Sequence, residues 1–100
     1  MNSQILLYYK YVAISDPEAL KKAQKELCER LGLKGRIIIA HEGINGTVGG
    51  TKEATEEYIK EMVADPRFTD IHWKKSSGPE DTFPRLSIKV RPEIVTTKII

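Results

Sequence analysis

The sequence predicts an α+β fold in which an antiparallel sheet of four to five strands carries two helices on one face. Three observations lead there. Runs of β-branched and aromatic residues, Ile5 to Ile14 and Arg36 to Ala40, alternate with two stretches of helical periodicity. The elements come in the order strand, helix, strand, strand, helix, then one or two strands. The second of these runs opens GRIIIAHEGINGTVGG, Gly35 to Gly50, with five glycines in sixteen residues, which reads as a strand entering a hairpin and then a turn into a helix.

Each element has its own signals. The first strand ends at Ser15-Asp16-Pro17, where Asp16 suits an N-cap and Pro17 the first helical position. In the helix that follows, Leu20, Ala23, Leu27 and Leu31 share a face, and Gly32 is the natural C-cap. Cys28 lies beside that face and reads as a buried, inert thiol. In the hairpin, Asn45-Gly46 is a turn signal that predicts positive φ at Gly46. Thr51 caps a second helix with Ala54, Tyr58, Ile59, Met62 and Val63 inward, and Asp65-Pro66 stops it. Ile71 and Trp73 suggest a short strand, and Leu86, Ile88 and Val90 alternate with Ser87, Lys89 and Arg91 in a clear one. Residues 76–81 read as a loop, and the apolar tail, with Ile94-Val95 and Ile99-Ile100, as a linker stump or a short edge strand.

This order matches the split β-α-β, ferredoxin-like arrangement. Right-handed crossovers put both helices on one side and leave the other sheet face open, with the first and third strands central and the last strand expected beside the first. Leu20, Leu27, Ile37, Ile39, Leu86 and Ile88 are the expected shared interior.

Length and composition bound the function. One hundred residues make one domain, short for an enzyme with its own deep pocket. A single cysteine and two histidines exclude a disulfide framework and a Cys/His zinc site of the usual spacing, and point to an intracellular protein. No apolar run approaches the ~20 residues of a membrane span, and Met1 to Gln4 lacks the basic flank of a secretory signal. The formal charge is +2; residues 66–100 carry seven Lys/Arg against four Asp/Glu, so the basic excess is C-terminal.

Two constellations are candidates for function. Lys10 is the only charge on the first strand, which assigns its parity, and Tyr8 with it, to the open face and sends Tyr9 and Tyr11 toward the helices. Arg85, Lys89 and Arg91 share the outward parity of the last strand. A ring among cations is the chemistry that holds single-stranded RNA by stacking and phosphate contact, although any solvated sheet face needs polar residues and edge lysines also oppose aggregation. The second candidate is the hairpin, Glu42, Gly43, Asn45 and Gly46, whose backbone could form an anion-binding concavity; it lacks the lysine and Ser/Thr of a P-loop. His41 and Glu42 would point to opposite faces of a regular strand, which speaks against a joint acid/base role.

These residues carry a resemblance. YYKYV, Asp16-Pro17-Glu18, Leu27-Cys28, GRIIIAHEGINGT, and Phe83-Pro84-Arg85-Leu86 running into KVRPEIV are similar to the N-terminal domain of the rhodanese-related tRNA uridine hydroxylases, the TrhO type, over nearly the whole chain. The resemblance implies an acylphosphatase-like version of the fold over residues 1–92, and at 93–100 the start of a linker toward a rhodanese-like domain that lies outside this chain and carries the catalytic cysteine. It implies a cytoplasmic parent that hydroxylates the wobble uridine of tRNA with oxygen, so that the expected partners are tRNA and that domain of the same polypeptide. Cys28 does not correspond to the catalytic cysteine, and no catalytic, metal or cofactor-binding residue is expected here. Ser15-Asp16-Pro17 lacks the arginine-bearing phosphate cradle of acylphosphatases, so hydrolase activity does not follow from the fold. Two readings remain open: an accessory domain that helps hold tRNA, and a packing module that touches no RNA.

Overall fold

The computed structural model describes residues 3–78 and 84–94. Its elements are β1 (Ser3–Tyr11), α1 (Pro17–Leu31), β2 (Lys34–Ala40), β3 (Gly43–Thr51), α2 (Lys52–Val63), a 3₁₀ turn at Pro66–Phe68, β4 (Lys74–Ser77) and β5 (Leu86–Val90). The caps are those expected. Asp16 accepts from the Ala19 N–H at 3.2 Å, Thr51 accepts from the Ala54 N–H at 3.0 Å, and Gly32 closes α1 in the left-handed region at φ 73°.

The sheet order is β4-β1-β3-β2-β5. Both helices pack on the same side, and β1 and β3 are central among the antiparallel pairs. The ferredoxin-like class therefore stands, with one rearrangement. β4 takes the place beside β1, and β5 adds a fifth strand parallel to β2, which makes the sheet mixed. Apolar Leu86 and Ile88 find cover there because α1 packs over both β2 and β5. Ser76 and Ser77, read as loop, belong to β4; residues 79–81 and the tail 95–100 lie outside the described residues.

The core lies between sheet and helices. Leu6, Ile37, Ile39, Ile44 and Val48 come from the strands, and Leu20, Cys28, Tyr58 and Met62 from the helices. Of the expected interior, Leu20, Ile37 and Ile39 are buried, while Leu27, Leu86 and Ile88 are partly buried against the same cluster. Cys28 is fully buried, and that burial pushes its thiol up to about 12.

The parity expected for β1 is reversed. Tyr8 is buried, and its hydroxyl donates to Tyr58, which donates to Gln24 Oε1 at 2.6 Å; Gln24 in turn donates to Met62 Sδ at 3.0 Å. The Tyr8 ring also packs on Trp73, with centroids 4.7 Å apart. Burial pushes the Tyr8 and Tyr58 hydroxyls above the ordinary tyrosine range. Lys10 shares this side without being buried in the core, because it is next to last in the strand and its ammonium pairs with exposed Asp70, 2.6 Å away. A lone charge at a strand end is therefore a poor marker of parity.

The hairpin differs too. Its turn is His41-Glu42, and Asn45 and Gly46 sit within β3. Gly46 does not have positive φ; it is glycine because the Tyr8 ring lies where a Cβ would be, with Cζ at 2.5 Å from that position. At Gly43 a Cβ would run into the Lys10 carbonyl of the neighbouring strand.

Candidate nucleic-acid interface

With Tyr8 inward, the open face is the other parity of every strand. Pairing registers give its rows. Lys74, Leu7, Thr47, Arg36 and Ser87 form one row across all five strands, and Tyr9, Asn45, Ile38 and Lys89 the next. Tyr11 continues the Tyr9 column, and Lys34 the Arg36 column. Tyr9 is 63 % and Tyr11 56 % exposed, and their rings meet edge-on with centroids 6.1 Å apart. Lys74 and Arg36 stand three strands apart, roughly 14 Å at ordinary strand spacing, and bracket the apolar column of Leu7, Tyr9 and Tyr11.

Acidic residues are segregated by layer. None of the five strands contains Asp or Glu, while α1 and α2 carry Glu18, Glu26, Glu29, Glu53, Glu56, Glu57 and Glu61. The strand cations divide accordingly. Lys10 and Lys75, on the helix side, pair with Asp70 and Glu56. Lys34, Arg36, Lys74 and Lys89, on the open side, make no ion pair among the described residues. The face thus presents exposed rings flanked by cations with no neutralising acid in the strands.

The expected contact residues fall out as follows. Lys89 is on the open face and exposed; Arg85 and Arg91 flank β5 at the same parity and are exposed. Tyr8 and Lys10 are not on that face, and β5 lies three strands from β1, so the basic strand and Lys10 do not meet. Tyr9, Tyr11, Lys34, Arg36 and Lys74 are on the face without being expected there. Their signal in the sequence is the alternation of Leu7, Tyr9 and Tyr11 together with the acid-free strands.

The hairpin tip is a junction. The His41 and Glu42 carbonyls accept from the Ile14 and Val12 N–H groups at 2.9 Å each, and His41 Nδ1 donates to the Ile14 carbonyl at 2.9 Å. The Glu42 carboxylate and Asn45 carboxamide both reach Ile94. His41 and Glu42 thus serve different backbone segments, which leaves no shared acid/base site. On the far side of the molecule an open groove of about 520 Å³ runs between α1 and α2 over Leu20, Leu27, Met62 and Phe68. On its rim Arg67 pairs with Asp65 at 2.7 Å and Arg30 with Glu61 at 3.7 Å. The described residues hold no cluster of three or more His, Cys, Asp or Glu placed to bind a metal, and no helix among them is long and apolar enough to cross a membrane.

Comparison with known proteins places this geometry in a family. The model of the UPF0176 N-terminal, acylphosphatase-like domain matches residues 3–94. The chain belongs to that family. The tRNA uridine(34) hydroxylase of Corynebacterium diphtheriae is 52 % identical over 93 residues, covering 93 % of this chain and 30 % of the relative. That of Oceanobacillus iheyensis is 47 % identical over 96 residues, again 30 % of its length. This UPF0176 domain therefore spans about a third of the curated relatives it matches. Among solved structures, the dark state of the BLUF protein BlrB superposes with a TM-score of 0.73 at 24 % identity, over 89 % of this chain and 71 % of that one. Full-length HypF superposes at 0.62 and 15 % identity, over 88 % of this chain and 12 % of that one. These two likenesses concern the fold alone.

Proposed function

We propose that this domain works within a cytoplasmic tRNA uridine(34) hydroxylase, where its open sheet face holds tRNA for a downstream rhodanese-like domain that carries out the oxidation. The observation that carries the reading is the layer segregation: acids on the helices, and on the open face Tyr9 and Tyr11 among Lys34, Arg36, Lys74 and Lys89. Phosphate contacts supply sequence-tolerant affinity, and exposed rings accept unstacked bases of a loop. The relatives' name supplies the nucleic acid, since tRNA exposes such bases in its anticodon loop. Exposed Leu7, Tyr9 and Tyr11 also favour a second reading, in which the face packs on a neighbouring domain and meets no RNA.

Titration of an anticodon stem-loop at several salt concentrations separates the two. Replacing Arg36, Lys74 and Lys89 together by alanine should flatten log affinity against log salt by roughly 0.7 for each phosphate no longer neutralised. Tyr9→Ala should cost ~1–3 kcal/mol if a base stacks there. Lys10→Ala, on the helix side, should leave the slope unchanged. The Lys89→Ala, Arg91→Ala pair tests the β5 edge by itself. Equal affinities and slopes for all variants would favour the packing module.

A further inference from the structure

Ile94 lies four residues beyond the end of β5 and is 0 % exposed, yet it is not part of the cluster between sheet and helices. Both of its backbone polar groups are held by hairpin side chains. Its N–H donates to Glu42 Oε2 at 3.1 Å, and its carbonyl accepts from Asn45 Nδ2 at 2.9 Å. Asn45 has open-face parity, opposite Tyr9 on one side and Ile38 on the other, so the exit segment comes over the open face at the hairpin end. Ala40 agrees: it shares the parity of Arg36 and Ile38 and is 0 % exposed, so this corner of the open face is covered.

A carboxylate on the N–H and a carboxamide on the C=O reproduce with side chains one rung of strand addition, in which an extended peptide is recognised through its backbone. The site is preorganised. Glu42 sits in a two-residue turn whose carbonyls are tied to Val12 and Ile14, and Asn45 is fixed in a central strand. We infer that Glu42 and Asn45 form a binding site for extended peptide backbone, occupied by this chain's own exit segment at Ile94, and that this clasp fixes the direction in which the chain leaves the domain. The hairpin end is then an anchoring device, with Glu42 in the turn accepting from and Asn45 in β3 donating to one residue. This role is independent of whether the open face meets RNA.

Hydrogen exchange of single amides in the 100-residue chain tests it. The Ile94 amide should be protected in the unaltered protein. Asn45→Asp keeps the shape but sets a carboxylate against the Ile94 carbonyl, and Glu42→Ala removes the acceptor. Each should speed Ile94 exchange at least about tenfold, the loss expected for a hydrogen bond to a charged or buried group, while Ile37 and Ile39 keep their protection. Spin labels on cysteines replacing the exposed Lys60 and Glu93 should give a narrow distance distribution that broadens in both variants. An Ile94 amide that exchanges freely in the unaltered chain, protection unchanged in both variants, or a distance distribution indifferent to them would overturn the clasp. If Asn45→Asp fails to fold, Glu42→Ala at the surface turn decides the question alone.

Discussion

Gly46→Ala is the most diagnostic single substitution in this domain, because two different reasons for a glycine there predict different couplings. Gly46 pairs with Tyr8 in the antiparallel ladder and shares its inward side. An added Cβ would lie 2.5 Å from both Cζ and the hydroxyl oxygen of Tyr8, and 2.7 Å from Cε1. The ring has nowhere to retreat. It is pinned against Trp73 and Tyr58, and its hydroxyl is bonded to Tyr58. Overpacking of this kind costs ~1–3 kcal/mol, and displacing the hydroxyl from its buried partner adds ~1–3 kcal/mol. We therefore expect Gly46→Ala to lose about 2–6 kcal/mol, at least about 8 °C in Tm for a domain of this size.

The assay is a double-mutant cycle by urea denaturation. Tyr8→Leu removes the atoms that a Cβ at residue 46 would meet while keeping an apolar filling. In that background Gly46→Ala should cost at least about 1 kcal/mol less than in the parent, a coupling within the usual range for touching residues. Backbone strain at Gly46 would make a different prediction, since a φ penalty does not depend on the residue across the strand. Equal costs in both backgrounds would refute the ring-contact account.

Two further outcomes test the core. Ile37→Ala, at a fully buried strand position, should cost ~3–5 kcal/mol, and Leu27→Ala, only partly buried, about 2 kcal/mol, read as shifts of the denaturation midpoint at constant slope; the reverse order would move the centre of the core onto the outer side of α1. Burial raises the Cys28 thiol from 9.0 to about 12, so between those values the unfolded chain gives up a proton that the folded chain keeps. Stability should be fully present below pH 9 and fall as pH rises from there toward 12, and Cys28→Ala should flatten the first part of that fall, before the tyrosines contribute. An unchanged pH slope in the variant would contradict a buried, protonated thiol.

What the sequence revealed, and what it did not, follows from which interactions are local. Caps, helix faces and the order of elements depend on neighbours within a turn or two, and Asp16, Thr51 and Gly32 do what their positions suggest. Parity in a strand depends on partners fifty residues away. Tyr8 turns inward because Tyr58, Gln24 and Met62 offer a chain of hydrogen bonds there, and nothing near Tyr8 in the sequence announces it. Asn45-Gly46 reads as a turn because the dipeptide permits one. The chain instead uses His41-Glu42, where the Val12 and Ile14 amides secure the tip, and leaves Gly46 to make room for a ring.

The misplaced parity also explains why the candidate face changed composition without losing its chemistry. A reading that takes one strand at a time must choose Tyr8 with Lys10 or Tyr9 with Tyr11, and a single charge decides it wrongly. Taken together, the strands hold Lys34, Arg36, Lys74 and Lys89 on the open face and no acid, and the absence of acid holds for either parity of β1. A sheet without acids beneath helices of mixed charge is thus a sturdier signal than the position of any one lysine. Reversal of β1 exchanges one buried ring for two exposed ones, and it brings Lys74 and Arg36 into line with them. What remains local to the hairpin, the carboxylate of Glu42 and the carboxamide of Asn45, is spent on the Ile94 backbone, so the turn holds the chain while the strands present the charge.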